Sequence, residues 1–200
     1  MDDTGNTNDL QALVFKNRGL LLSIPAAVLA LFGKPSATGV AVGLPLALAG
    51  ELIRCWAVGY SGVTTRGDAV EAPKLVTAGP YAHVRNPLYV GNFITALGFA
   101  LAFTGKNRAS TKLALIGGSL ASMLAVYATI VPHEESFLRS EFGEAFEHYC
   151  ERVPPVVPLM EPAAGGEGTW DASVIQKAES RTFATFGAML GILILKTLRE

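Results

Sequence analysis

Charged residues are scarce in this sequence. They make up 16% of its 200 residues, and the formal net charge is -1, whereas soluble domains carry about 25% charged residues. A nucleic-acid-binding protein needs a concentrated basic face, and this charge balance gives no sign of one. We therefore exclude a nucleic-acid partner. Cysteine is also rare. Cys55 lies in an apolar run and Cys150 in a polar segment, which predicts free thiols rather than a disulfide or a metal site.

The start of the chain lacks the basic stretch and the small-residue cleavage site of a secretory signal, since it reads Met1-Asp2-Asp3-Thr4. The first apolar segment is therefore expected to be a retained membrane anchor. Hydrophobic residues make up 50% of the chain, and five stretches approach the roughly 20 apolar residues that a helix needs to cross a bilayer. These stretches span residues 12–32, 38–60, 88–103, 113–131 and 183–198, and the third and fifth are short.

The sequence thus predicts an all-α fold, a polytopic transmembrane helix bundle. We divide it into a membrane core over residues 1–160, a polar linker over 161–181 and a C-terminal transmembrane or interfacial helix over 182–200. The polar turn at residues 104–110 is short enough to fold the third and fourth helices into an antiparallel hairpin. Small residues are expected to let helices approach closely. Those in the second and fourth helices are Gly39, Gly43, Gly50, Gly117 and Gly118.

Lysine and arginine counts give the orientation, because basic loops stay on the cytoplasmic side. With the N-terminus inside, nine such residues fall in the inner segments and six in the outer ones. Both long polar segments, about residues 61–87 and 132–181, then face the cytoplasm. We therefore expect an integral protein of the inner, cytoplasmic membrane with its chemistry on the cytoplasmic face.

The first polar segment leads into the third helix. Gly79-Pro80 is a turn signal, Asn86 is a natural N-cap, and Pro87 falls in the first helical turn. By itself this segment could be a helix-start device with an interfacial belt of tyrosine and arginine. The second segment follows the fourth helix, and its apolar residues recur at helical spacing. It is expected to form one or two amphipathic helices against the bundle, ending at Pro154-Pro155.

The hairpin brings these two segments together, which predicts a pocket between them. Its walls are expected to be Tyr81, Arg85, Asn86 and Tyr89 on one side, and His133, Glu134 and Glu135 on the other. The positive end of the third helix suits a carboxylate or phosphate, and the glutamates suit a cation or hydroxyl groups. A zwitterionic ligand with hydroxyl groups would satisfy both walls.

The same two segments resemble the isoprenylcysteine carboxyl methyltransferase and phospholipid methyltransferase family of membrane enzymes. The matching pieces are Leu75–Tyr81, Arg85–Gly91, Glu134-Glu135, Phe142-Gly143, Tyr149 and Val153-Pro154. The resemblance implies that S-adenosyl-L-methionine binds at the cytoplasmic face through segments 66–91 and 130–158. Carried over by motif, the cofactor-binding residues are Lys74, Leu75, Val76, Tyr81, Asn86, Pro87, Leu88, Tyr89 and Glu134.

Three departures from the family pattern bear on the acceptor. Asn86 stands where the family has histidine, which excludes proton transfer at that position. Ile130 stands where prenylcysteine-specific members have a substrate-binding arginine, so a lipid amine is favoured over a prenylcysteine carboxylate. The hydrophobic segment after Gly168 lies outside the pattern, and we leave two interpretations open for it: a homodimerisation element, or a lid on the lipid-facing entrance.

Methyl transfer from a sulfonium needs alignment and exclusion of water more than a nucleophile from the protein. Arg85 is the candidate for holding acid groups, and Glu135 or His133 is a candidate base for an amine acceptor. Tyr149 is a candidate base and substrate contact, since a lipid or lipidated small molecule is the expected partner.

Glu51 and Arg54 lie three residues apart on one helix face. Either they contact the substrate at its entrance, or they pair with each other and fix the helix register. Two other functions are kept as alternatives. One is an NADPH-dependent sterol-type reductase, because the stretch Tyr149–Pro154 also resembles the tail of that group. The other is a non-catalytic membrane scaffold.

Overall fold

The computed structural model describes residues 11–62 and 72–199, and none of these residues forms a strand. After a helical stretch at residues 11–16, six helices follow one another along the described chain. They are α1 (Arg18–Phe32), α2 (Ala37–Ser61), α3 (Pro87–Phe103), α4 (Ala109–Phe142), α5 (Glu144–Arg152) and α6 (Ile175–Arg199). Short 3-10 turns cover Gly79–Ala82 and Ala172–Val174. The predicted all-α fold is confirmed, while residues 1–4 and residues 63–71 of the first polar segment, used in the predictions above, lie outside the described residues.

Three of the described helices are long and apolar enough to cross a membrane, by length and composition: α2, α4 and α6 with the turn before it. The chain is accordingly an integral membrane protein. Helices α1 and α3 are shorter, at 15 and 17 residues. The first predicted span is interrupted at Asn17, where a turn separates α1 from helical residues 11–16. The Asn17 side chain donates to the Leu13 carbonyl oxygen at 2.8 Å, a local hydrogen bond of the kind that competes with helix continuation.

The fourth helix is longer than predicted. It continues through Pro132 to Phe142, and Gly143, with φ at 50°, ends it. The second polar segment therefore begins as a continuation of α4, and α5 is the only separate amphipathic helix there among the described residues. Pro132 removes one hydrogen bond from the helix, and the helix nevertheless continues on both sides of it until Gly143.

The fifth predicted span was placed too late in the chain and judged too short. Helix α6 begins at Ile175 and has 25 residues, so its first turns occupy part of the predicted linker. Its Met189 and Leu193 belong to the same core cluster as Leu29 of α1 and Phe99 and Phe103 of α3. The C-terminal helix is thus packed into the bundle.

The closest helix contact is between α2 and α3. A Cβ added at Gly43 would lie 2.6 Å from the Ala102 nitrogen, and one at Gly50 would lie 2.5 Å from the Thr95 nitrogen. These approaches are closer than any side chain allows, so glycine is required there. The expectation was wrong for Gly117 and Gly118, which have no described atom within 4 Å of an added Cβ. Both glycines are exposed on α4.

Candidate functional site

The start of α3 and the end of α4 face each other, as the hairpin predicts. The Tyr89 hydroxyl donates to Glu134 Oε1 at 2.7 Å. The Tyr89 ring stacks on Tyr127, with centroids 4.3 Å apart. A carboxylate is therefore held in a fixed position beside the first turn of α3, whose backbone amides form the positive end of the helix.

Arg85 joins this region to α5. Its Nε donates to Glu135 Oε1 at 2.9 Å and one terminal nitrogen donates to Oε2 at 3.1 Å. The other terminal nitrogen donates to the carbonyl oxygens of Val153 at 2.7 Å and Cys150 at 3.3 Å. Four of the five guanidinium donors thus bind other parts of the chain. Two of the residues expected to act in catalysis, Arg85 and Glu135, bind each other.

Asn86 occupies the N-cap position of α3, but its side chain makes no capping hydrogen bond in the described structure. Its amide nitrogen donates instead to the Pro155 carbonyl oxygen at 3.0 Å. The side chain is turned away from the helix because it ties the start of α3 to the segment that follows α5. Asn86 lies at the predicted N-cap position, but the prediction that its side chain caps α3 is wrong.

The segment after α5 fixes the first polar segment by its backbone. The Thr77 nitrogen donates to the Glu167 carbonyl oxygen at 2.9 Å, and the Ala163 nitrogen donates to the Ala82 carbonyl oxygen at 2.9 Å. Further backbone bonds of the same kind join Arg85 to Pro154 and Leu159 to His83. Residues 154–167, part of which was predicted to be a linker, hold the segment before α3 in place.

Tyr149 supports the same segment from α5. Its hydroxyl donates to the Tyr81 carbonyl oxygen at 2.8 Å, and burial raises the pKa of Tyr149 above its ordinary value. Burial also raises the pKa of Tyr81 to about 12, against a hydrogen bond with Ser61 that lowers it. Both phenols are protonated at neutral pH, so the Tyr149 hydroxyl is a hydrogen-bond donor there.

A cavity of about 790 Å³ extends from these polar segments into the bundle. Its size lies within the range of small-molecule sites, about 300–1,000 Å³. All nine residues assigned to the cofactor line it: Lys74, Leu75, Val76, Tyr81, Asn86, Pro87, Leu88, Tyr89 and Glu134. Of the other expected site residues, Glu51, Arg54, Arg85 and Tyr149 also line it.

His133 and Glu135 are not part of the cavity wall that the described residues form. The His133 ring lies beside Phe15, with centroids 5.9 Å apart. Glu134 faces the cavity because it lies on the α4 face that meets Tyr89, and each neighbour is turned about 100° away on a helix. The structure thus brings one of the three residues of the second wall into the cavity.

Deeper in the cavity, Arg54 is the centre of a polar cluster. One of its terminal nitrogens donates to both carboxylate oxygens of Glu179, at 2.8 and 2.7 Å. The other donates to Asn92 Oδ1, and Asn92 in turn donates to the Tyr127 hydroxyl at 2.8 Å. The expected pairing with Glu51 is present, with Nε and Oε2 3.7 Å apart. We call these five residues, with Thr182, the Arg54 belt.

Sequence reasoning missed the part of the belt that α6 supplies. Glu179 was assigned to a linker because polar residues surround it. The signal was present in the spacing, since the intervals of three and four residues between the apolar positions of α6 continue upstream to two polar residues. Glu179, Thr182, Phe186, Met189 and Leu193 lie on one helical face.

Several known proteins are similar to this chain. Protein-S-isoprenylcysteine O-methyltransferase of Schizosaccharomyces pombe is 35% identical over 92 residues, covering 43% of this chain and 34% of that protein. Probable protein-S-isoprenylcysteine O-methyltransferase of Oryza sativa subsp. indica is 31% identical over 124 residues, covering 60% of this chain and 61% of that protein. Cobalt-zinc-cadmium resistance protein CzcN of Cupriavidus metallidurans is 36% identical over 100 residues, covering 50% of this chain and 42% of that protein.

The chain thus spans less than two thirds of the length of each of these relatives. No solved structure matches it significantly. The profile of the phospholipid methyltransferase family matches residues 38–145, more than half of the 200 residues. This range contains α3, α4, all of α2 except its first residue, and the two facing residues Tyr89 and Glu134. The chain belongs to the phospholipid methyltransferase family.

Proposed function

We propose that this chain is an S-adenosyl-L-methionine-dependent membrane methyltransferase that transfers a methyl group to a lipophilic acceptor at the cytoplasmic face. One observation carries the proposal. The nine residues to which the family resemblance assigns the cofactor come from three separate parts of the chain, and all nine line one cavity of about 790 Å³. The resemblance concerned sequence motifs alone, so their convergence on one cavity is independent support.

The residues of this cavity fit the proposed cofactor chemically. The first turn of α3, at Pro87 to Tyr89, lines the wall and presents the positive helix end that suits a carboxylate. Glu134, held by Tyr89 at 2.7 Å, would accept hydrogen bonds from an ammonium or from ribose hydroxyls. When bound, S-adenosyl-L-methionine supplies an activated methyl group on a sulfonium.

The protein would contribute orientation and exclusion of water. The first polar segment is held by residues 154–167 and by Tyr149, so the cavity wall is fixed before a ligand binds. Arg85 and Glu135 bind each other, and we assign them a positioning role, in that they join the start of α3 to α4 and α5. We assign no base role to His133, which lies beside Phe15, or to Tyr149, whose hydroxyl is a donor.

For the acceptor, we propose a lipid amine, which attacks as the neutral amine and so gives its proton to water before the methyl group is transferred. Ile130, which stands where prenylcysteine-specific members have an arginine, is 0% exposed in an apolar cluster with Met123 and Tyr127. No charge is available at that position for a substrate carboxylate. The relatives named as isoprenylcysteine methyltransferases make farnesylcysteine the alternative acceptor to test.

Transfer of a radiolabelled methyl group tests the proposal. Purified protein in lipid nanodiscs is incubated with labelled S-adenosyl-L-methionine and either phosphatidylethanolamine or a farnesylcysteine analogue. We expect label in the phosphatidylethanolamine, and less of it with Glu134→Gln, whereas Glu141→Gln, an exposed carboxylate of the same helix, should behave as wild type.

Label only in the farnesylcysteine analogue would contradict the lipid-amine assignment but keep the methyltransferase. Absence of label in both, from a sample that oxidises NADPH with a sterol substrate, would favour the reductase. If the protein methylates neither acceptor, does not oxidise NADPH and binds no cofactor, the remaining interpretation is the non-catalytic scaffold.

A further inference from the structure

The cavity does not end at the proposed cofactor residues. It continues past the Arg54 belt to an apolar region lined by Leu29, Phe99, Phe186 and Met189. Helix α6 contributes to both the belt and this region, through residues spaced three and four apart on one face. This helix lies outside the matched residues 38–145.

The belt fixes α6 against the cavity. Glu179 binds Arg54 with both carboxylate oxygens, and the two side chains are 1% and 6% exposed. Thr182, one turn further along, accepts from Arg54 at 3.3 Å. A bidentate, buried pair of this kind holds both partners in one geometry, so the face of α6 that follows is held at a defined distance from α2 and α3.

The region beyond the belt has the chemistry of a hydrocarbon site. Met189, Phe99 and Leu29 are 6%, 5% and 2% exposed. Phe186 meets Phe99 edge to face, with centroids 4.9 Å apart. The side chains of these four residues offer apolar and aromatic surface and no hydrogen-bonding group of the kind a polar ligand needs, which favours the chain of a lipid. We call this region the chain compartment.

We propose that α6 forms the acceptor's chain compartment, in which Phe186 and Met189 set the chain length that fits, while the acceptor's polar head lies at the Arg54 belt. This proposal rests on the proposed function, because it takes the polar end of the cavity as the cofactor site. It assigns acceptor selection to a helix that the family match does not include.

Chain-length selectivity of binding tests this assignment without requiring turnover. Tritiated lysophosphatidylethanolamines with 10-carbon and 18-carbon chains are bound to the detergent-solubilised full chain in a scintillation proximity assay. In Met189→Trp the larger side chain fills the compartment, so we expect affinity for the 18-carbon lipid to fall about tenfold or more, since each buried methylene group contributes about fourfold. The 10-carbon lipid should bind within about twofold of wild type.

Phe183→Trp is the matched control. Phe183 is 40% exposed and does not line the cavity formed by the described residues, so its variant should keep the wild-type affinity for both lipids. Phe186→Leu is a second variant that opens the compartment, and it should shift the preference toward the longer chain. It keeps the test decisive if Met189→Trp does not fold.

Binding of S-adenosylhomocysteine to the same samples separates the two proposals. Unchanged chain-length preference in both folded variants would overturn the chain compartment, and intact S-adenosylhomocysteine binding would then leave the proposed function standing. If wild type selects chain length but binds no S-adenosylhomocysteine, the compartment is retained and the proposed function fails.

Discussion

Two arginines of the cavity wall, Arg54 and Arg85, each bind a glutamate, and the two pairs differ in what they join. Arg85 and Glu135 connect the two segments that flank the α3–α4 hairpin, with nitrogen and oxygen 2.9 Å apart and side chains 12% and 17% exposed. Arg54 and Glu179 are 125 residues apart in sequence and 2.7 Å apart in space, with side chains 6% and 1% exposed. The first pair secures the end of the α3–α4 hairpin at which Tyr89 and Glu134 meet, which we call the hairpin end. The second pair secures α6 to the bundle. The more deeply buried pair is the one that crosses into sequence outside the family match.

Replacing the arginine of each pair should show the difference between the two pairs most clearly. Arg54→Met takes away the guanidinium that neutralises Glu179 inside the bundle, and loss of one partner of such a pair destabilises by about 3–5 kcal/mol. Arg85→Met should destabilise by about 1–3 kcal/mol, because Glu135 lies nearer to water and keeps part of its hydration. Unfolding by SDS in mixed micelles measures both. An equal or larger loss for Arg85→Met would contradict the comparison.

Overpacking the contact between α2 and α3 should also disturb the Arg54 belt, although it changes no charge. A Cβ at Gly91 would lie 2.7 Å from Arg54 Cγ and 2.8 Å from the Gly50 carbonyl oxygen. Gly91→Ala is therefore expected to destabilise by about 1–3 kcal/mol through overpacking.

Gly118→Ala is its control, because no described atom lies within 4 Å of the added Cβ. There the alanine should stabilise the helix by about 0.5–1 kcal/mol. Equal effects of the two substitutions in the same SDS titration would show that the α2–α3 contact does not hold the belt.

The hairpin end should respond in ligand affinity more than in stability. Glu134→Gln removes the charge that Tyr89 holds, and a hydrogen bond to a charged group contributes about 1.5–3 kcal/mol. We expect S-adenosylhomocysteine to bind at least tenfold more weakly to this variant by calorimetric titration. Arg54→Met, if it remains folded in detergent, should change that affinity less. The reverse order would place the cofactor at the belt.

The smallest expected effect concerns the pH dependence of stability at the hairpin end. Burial raises the pKa of Tyr81 from 10.0 to about 12. The folded state therefore favours the neutral phenol, and this contribution is present below pH 10 and is lost as the pH rises from about 10 to 12. Melting temperatures between pH 9 and 11.5 should fall more steeply for wild type than for Tyr81→Phe. Identical slopes would mean that Tyr81 titrates normally.

The hairpin end was predictable from sequence because its parts are local. A short polar turn places α3 beside α4, and helix-start signals at Asn86 and Pro87 locate the site along α3. Tyr89 and Glu134 then face each other by geometry alone. The contact of Arg85 with Glu135 was harder to predict, since it depends on which of the two adjacent glutamates faces Arg85.

The Arg54 belt was not predictable in the same way. The first turns of α6 carry Glu179 and Thr182, and their polarity resembles a linker when only hydropathy is considered. Their partner lies in α2, and nothing in the intervening sequence specifies that contact. The end of α4 was missed for a different reason, because the apolar run ends at residue 131 and the polar residues after it were assigned to a separate segment, although the helix continues through them to Phe142.

The central claim, that the cavity between the two polar segments is an S-adenosyl-L-methionine site, is tested most directly by calorimetric titration of the folded wild-type protein with S-adenosylhomocysteine and, separately, with NADPH. The account predicts saturable binding of S-adenosylhomocysteine at one site per chain and no binding of NADPH. A folded sample that binds NADPH, or that binds neither ligand, would contradict it.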